Sequence, residues 1–160
     1  MPSLQLREAN SEDEAGIHAL AQELAAAVGD SLPAREAFQT RFEELLEEPR
    51  ARILVAEEEG GIVGVVSFWI KPDLAHGDVV VEVPMLVVTE GKRRTGVGKL
   101  LVEELREQAY GHDASIIELI ATSDNKTARE FYRSLGFVET NHVSLEFMGD
   151  LNNPPESNEK

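Results

Sequence analysis

The sequence contains no cysteine, and this absence removes several kinds of chemistry at once. Disulfides, thiolate zinc sites and a cysteine acyl-enzyme are excluded, and the composition fits a reducing compartment. No apolar run approaches the ~20 residues that a membrane-spanning helix needs. Residues 1–10 lack the charged start and long apolar core of a secretion signal. We therefore expect a cytoplasmic protein that has no membrane partner.

Basic residues are also scarce, with 15 Lys and Arg against 30 Asp and Glu and a formal net charge of −15. Such a field repels nucleic acid unless a local basic patch is present, so we expect no nucleic-acid partner. It attracts cationic partners, although acidity that only keeps the protein soluble is an equal alternative. The four histidines share no metal-ligand spacing, so we predict no metal.

Periodicity predicts one α/β domain of mixed α+β type over residues 1–149, followed by a disordered tail over residues 150–160 that has two prolines and no aromatic residue. A first strand covers residues 4–7. Ser11 and Glu14 form a predicted capping box for the first helix, and Pro33 suits the first turn of the second. Two strands then follow around the turn at residues 58–61, and residues 71–77 are predicted to form a loop.

A valine-rich strand over residues 78–89 contains Pro84, which predicts a bulge or a break in strand pairing. Residues 96–110 form an amphipathic helix, and residues 115–121 form a further strand. A last helix over residues 125–135 ends at Gly136. Residues 137–148 are predicted to form one or two final strands.

The sharpest local feature is a basic, glycine-containing stretch between a strand and a helix. Gly96 and Gly98 allow a ligand to approach the backbone closely. The first N–H groups of the helix have no partner within it and lie at the positive end of its dipole. The pattern therefore predicts a phosphate site, although basic residues that only solvate a loop are the alternative. Arg93 occupies a glycine position of the Walker loop, and Leu101 replaces the third small residue of a dinucleotide fingerprint.

The wider pattern resembles the GNAT superfamily of N-acetyltransferases. The resemblance is carried by a Leu-Val-Val strand segment, an Arg-x-x-Gly-x-Gly loop, and a helix with the pattern Asn, Ala, Phe-Tyr and Leu-Gly-Phe, which together lie between Leu86 and Phe137. It implies a single domain with a mostly antiparallel twisted sheet of about six to seven strands and about four helices. It also implies acetyl-CoA as the co-substrate.

The resemblance assigns the cofactor-binding positions. The strand before the loop pairs with the pantetheine arm, the loop amides bind the pyrophosphate, and an asparagine on the next helix contacts the cofactor. These positions are Leu86, Val87, Val88, Arg93, Arg94, Thr95, Gly96, Val97, Gly98, Lys99 and Asn125. The resemblance places the oxyanion donor at a main-chain N–H near Val87 or Val88. A helix N-cap explains Asn125 equally well.

Two residues are catalytic candidates. Tyr132 matches the tyrosine that protonates the departing thiolate, while its position also suits a core aromatic residue. Glu82 matches the glutamate base of some lysine acetyltransferases, and its apolar strand neighbours predict partial burial. A solvated edge carboxylate or a water relay are the alternatives for Glu82.

The sequence thus predicts transfer of an acetyl group to a primary amine of a cationic small molecule or peptide. The alternatives are a different acyl-CoA, a catalytically silent CoA-binding regulatory module, and a purely structural domain. The resemblance alone implies a homodimer formed through the final strands, for which residues 143–148 provide a candidate edge.

Overall fold

The computed structural model describes residues 3–32, 34–147 and 150–153. Five strands form one sheet, in chain order: β1 (Leu4–Glu8), β2 (Ala51–Glu58), β3 (Gly61–Asp73), β4 (Asp78–Val88) and β5 (Ala114–Leu119). The first four pair antiparallel, and β5 runs parallel to β4. The α+β class and the mostly antiparallel sheet are confirmed, with five described strands in place of six to seven.

Four helices cover the two faces of this sheet: α1 (Glu14–Val28), α2 (Arg35–Glu47), α3 (Val97–Gly111) and α4 (Lys126–Ser134). Successive strand residues face opposite sides, so Val65 and Val87 pack with α1 and α2, whereas Val66 and Leu86 pack with α3 and α4. The core is therefore divided into two clusters by the sheet. None of the described helices is long and apolar enough to cross a membrane.

The start of α1 differs from the prediction. Its capping box uses Asn10 and Asp13 instead of Ser11 and Glu14, and a 3-10 turn over Ser11–Asp13 precedes the helix. The buried Asp13 carboxylate takes this position because Arg7 donates two hydrogen bonds to it, at 2.7 and 2.8 Å. Helix α2 begins at Arg35, and the predicted role of Pro33 lies outside the described residues.

Strand β3 is longer than predicted, since residues 71–73 continue it instead of forming a loop. Pro72 is tolerated there because it lies beyond the last pairing with β2, Ala51 with Trp69, and has a strand neighbour on one side only. The predicted irregularity at Pro84 is confirmed. The three steps from Glu82 to Met85 on β4 lie opposite two steps of β3, so β4 carries one extra residue.

The prediction of final strands over residues 137–148 is wrong for the part that the structure describes. Residues 137–147 contain no strand, and the apolar side chains of Val143, Leu145 and Phe147 are exposed. Their alternation supplies one apolar face, but a strand also needs a neighbouring edge with which to exchange hydrogen bonds. Met148 lies outside the described residues. The tail is described only at residues 150–153, which form a turn, so its disorder stays a prediction.

Candidate functional site

The sheet opens between β4 and β5. The parallel pairing of these strands runs from Val79 with Ala114 to Val83 with Leu119 and is not continued over residues 84–88. The extra residue of β4 lies at this point, so the bulge and the end of the pairing coincide. One side of the second half of β4 is therefore available to a ligand that can pair with a backbone.

The direction of the β4 backbone groups follows from one hydrogen bond. The Thr89 N–H donates to the Val63 carbonyl at 2.9 Å, so the main-chain groups of Thr89 point toward β3. Because these groups alternate along a strand, those of Val87 also point toward β3, whereas those of Leu86 and Val88 face the opening. Of the predicted backbone contacts, Leu86 and Val88 thus have the appropriate orientation and Val87 does not.

The loop that follows β4 takes the form that its glycine pattern predicts. Arg94 has φ of 66° and Gly96 has φ of 94°, both in the left-handed region, and Gly96 is the N-cap of α3. Among the residues that the structure describes, no side chain caps this helix, so its first N–H groups lack a side-chain partner there. The loop therefore directs backbone donors and the positive end of the helix dipole outward, which suits a phosphate.

The cations of this loop have different surroundings. The Lys92 ammonium lies 2.7 Å from the Glu58 carboxylate, which raises the pKa of Lys92 above its ordinary value. Arg93 donates to the Val88 carbonyl at 3.2 Å, a group that faces the opening. Arg94 and Lys99 are exposed. The loop thus presents positive charge to an incoming anion in a protein that is acidic overall.

Gly98 has a packing role that its sequence pattern does not reveal. A Cβ at this position would lie 3.3 Å from the side chains of Phe131 on α4 and of Leu135, which follows α4, whereas a Cβ at Gly96 would meet nothing within 4 Å in the described part of the chain. Gly98 is therefore small because α4 crosses the start of α3, and Gly96 is glycine because of its φ.

Glu23 on α1 is a site residue that sequence reasoning missed. Its carboxylate accepts hydrogen bonds from the Thr89 hydroxyl at 2.9 Å and from the Glu90 N–H at 3.1 Å, and so holds the start of the loop against α1. The separation in sequence is 66 residues, and no local pattern links the two segments.

The two predicted residues of the α4 region have clear structural surroundings. Asn125 caps α4, since its side chain accepts from the Ala128 N–H at 3.1 Å, which is the alternative that the sequence left open. Tyr132 packs between Phe131 and Phe137, with ring centroids 5.5 and 6.3 Å away, in the cluster that includes Leu86. Burial raises the pKa of the Tyr132 phenol above its ordinary value, so the hydroxyl remains protonated at neutral pH.

Glu82 lies on the sheet face that α1 and α2 cover, because its neighbours Val81 and Val83 both pack toward α3. Its side chain is 43% exposed, and its carboxylate lies 2.5 Å from the Lys71 ammonium. The predicted partial burial of Glu82 is present. Its cationic partner Lys71 was not predicted, because the pairing depends on the register of β3 against β4. Glu82 lines a cavity of about 380 Å³ together with Arg50, Trp69 and Lys71.

The turn between β3 and β4 brings together Asp73, His76 and Asp78, whose potential metal-ligand atoms lie within 4.8 Å of one another. The His76 ring lies 2.7 Å from the Asp73 carboxylate, and this contact raises the pKa of His76. The imidazolium can thus supply the positive charge that these carboxylates need, and the expected absence of a metal stays a prediction.

Comparison with known proteins agrees with this geometry. The model of the family described as "Acetyltransferase (GNAT) family" matches residues 17–137. An aminoalkylphosphonate N-acetyltransferase from Salmonella typhimurium is 29% identical over 140 residues, which cover 88% of each chain. An Agrobacterium tumefaciens structure described as an acetyltransferase is 28% identical with a TM-score of 0.76, covering 91% of this chain and 99% of that one.

An aminoglycoside N-acetyltransferase crystallised with CoA has the same fold, with a TM-score of 0.79 at 20% identity over 91% of this chain and 95% of that one. The family match covers more than half of the sequence and includes the β4 opening, the loop and α4 up to Phe137. The chain therefore belongs to the acetyltransferase (GNAT) family and is an acyltransferase.

Proposed function

We propose that the protein transfers an acetyl group from acetyl-CoA to a primary amine by direct attack in a ternary complex. The observation that carries this proposal is the coincidence of three features at one end of β4. These are the unpaired strand edge, the outward backbone donors of the loop, and the protonated phenol of Tyr132. Together they provide a place for a pantetheine arm, a place for a pyrophosphate and a proton donor.

In this proposal the chain's residues position the reactants. The loop from Arg93 to Lys99 holds the pyrophosphate, and the backbone groups of Leu86 and Val88 align the pantetheine arm. The Leu86 N–H, at the end of the arm away from the pyrophosphate loop, donates to the thioester carbonyl oxygen, which gains negative charge as the amine nitrogen attacks. As the new C–N bond forms and the C–S bond breaks, Tyr132 gives its proton to the sulfur. Acetyl-CoA supplies the activated acyl group.

Glu82 is the proposed acceptor of the ammonium proton, either directly or through water. The backbone of Glu82 lies two residues before Pro84, about 7 Å along the strand from the start of the opening. One relative is named an aminoalkylphosphonate N-acetyltransferase and another an aminoglycoside N-acetyltransferase. Both named acceptors contain an amine, but the first also carries an acidic group. The net charge of −15 favours a cationic acceptor at long range.

The experiment that tests the function measures acetyl-CoA binding by calorimetry and thiol release with a panel of amines, for three proteins. Gly96→Glu places a carboxylate in the phosphate site and should abolish binding. Tyr132→Phe keeps the ring between Phe131 and Phe137 and should retain binding while turnover falls about 10²-fold or more. Binding without turnover in the wild type would instead identify a CoA-binding module, and no binding would refute the proposal.

A further inference from the structure

The cavity beside Glu82 carries charges of both signs. It has a volume of about 380 Å³ and lies where β3 continues past its last pairing with β2, Ala51 with Trp69. Its lining combines one carboxylate, two cations and an indole ring, contributed by Glu82, Arg50, Lys71 and Trp69, together with Ile70 and Pro72. The two basic side chains in its wall oppose a ligand that carries only positive charge.

The two central charges already pair with each other. The Lys71 ammonium lies 2.5 Å from Glu82, and this contact raises the pKa of Lys71. Glu118 is the neighbour of Glu82 on β5 and acts on Lys71 in the same direction. Both members of the pair remain about half exposed, at 51% for Lys71 and 43% for Glu82, so a ligand can reach them and separate them.

We propose that the acceptor is a short aminoalkyl acid, an amine joined by a short alkyl chain to a phosphonate or carboxylate, and that Arg50 and Lys71 select it. The proposal rests on the transferase function proposed above. The acceptor's ammonium takes the place of Lys71 against Glu82, next to the opening of the sheet. Its anion binds Lys71 and Arg50, and the Trp69 ring covers the alkyl chain.

Exchange of one ion pair for another explains why both signs are needed. A zwitterion leaves each charge in the cavity with an opposite partner, whereas a polyamine would place a second ammonium beside Arg50 and Lys71. The overall negative charge of the protein acts at long range, but recognition depends on the groups that contact the ligand. The cavity therefore selects against the cationic acceptor that composition favours.

The test compares amines of similar chain length that differ in the remote group: 3-aminopropylphosphonate, 4-aminobutyrate, butylamine and 1,4-diaminobutane. With acetyl-CoA saturating, kcat/KM for either acid should exceed that for butylamine about tenfold or more, with the diamine no better than butylamine. Arg50→Gln and Lys71→Gln should each remove most of this preference, mainly through KM. Arg106→Gln removes the same charge from the exposed face of α3 and serves as the control.

Preference for the diamine, or equal use of the acids and butylamine, would overturn the proposal. A preference for the acids that survives in Arg50→Gln and Lys71→Gln would also overturn it. If the protein acetylates no amine at all, the proposed transferase function is refuted. Calorimetry with 3-aminopropylphosphonate then tests separately whether the cavity binds an aminoalkyl acid. Binding that Arg50→Gln weakens about tenfold and Arg106→Gln leaves unchanged would retain the assignment, and no binding would refute it.

Discussion

The left-handed conformation of Gly96 permits a stability prediction that isolates the backbone cost of placing a non-glycine residue there. Gly96 has φ of 94° and ψ of 0°, and a Cβ there would meet no atom of the described residues within 4 Å. Replacement by alanine therefore adds no clash, and its cost is the backbone cost of a left-handed L-residue, about 1–2 kcal/mol. Alanine also restricts the unfolded chain, which stabilises the protein by about 0.4–1 kcal/mol.

Gly91 provides the matched control, because it lies in the same loop, does not have a positive φ, and an added Cβ would meet no described residue within 4 Å. In Gly91→Ala the unfolded-state effect acts alone, so the difference between the two variants isolates the backbone cost. We expect Gly96→Ala to have a free energy of unfolding about 1–2 kcal/mol below that of Gly91→Ala. For a protein of this length, this corresponds to a Tm difference of roughly 2–8 °C.

Urea unfolding followed by circular dichroism measures this difference, and calorimetry with CoA measures its functional consequence. If the loop relaxes to a negative φ, the N–H groups at the start of α3 turn away, and CoA affinity should fall in Gly96→Ala but not in Gly91→Ala. Equal stability and equal affinity of the two variants would show that neither folding nor binding needs this conformation, which refutes the reasoning.

Three further predictions concern the supports of the site. Gly98→Ala should be less stable than Gly111→Ala by about 1 kcal/mol or more in urea unfolding, because its Cβ meets Phe131 and Leu135 at 3.3 Å; equal values would contradict the α3–α4 packing. Glu23→Gln should raise the KM for acetyl-CoA several-fold and change stability by only about 1 kcal/mol, since two hydrogen bonds to the loop weaken. Hydrogen bonds from Arg7 lower the pKa of Asp13 below its ordinary 3.8. The Asp13 carboxylate therefore stabilises the folded state fully above that pH, and this stabilisation is lost as the pH falls through the lowered pKa. The free energy of unfolding of Asp13→Asn should thus be about 2–3 kcal/mol below that of the wild type at pH 7. Urea unfolding at several pH values should show this difference in stability becoming smaller below about pH 4.

Local sequence rules predicted most of the elements and the position of the glycine-containing loop between β4 and α3. Periodicity placed the described helices and the first five strands, since each signal lies within one segment and depends on side-chain direction alone. Gly136 and the turn at residues 58–61 followed from backbone conformations that few residues adopt, and Glu59 and Gly60 do have positive φ. Pro84 predicted the bulge because it cannot donate to a strand ladder.

Predictions that depended on partners from distant segments were less successful. Residues 137–147 alternate like a strand, yet among the described residues they have no strand neighbour. Three contacts were missed for this reason. Glu23 supports the loop and Gly98 contacts Phe131 although these segments are far apart in sequence, and the pairing of Lys71 with Glu82 depends on the exact register of the hairpin.

The sequence by itself determined the fold class, the family resemblance and the position of the proposed phosphate loop, because each depends on residue type and short-range spacing. Only the tertiary structure decided which backbone groups face the β4–β5 opening and which charges surround Glu82. Strand register sets both, and register depends on how the β3–β4 hairpin fits between the two halves of the core.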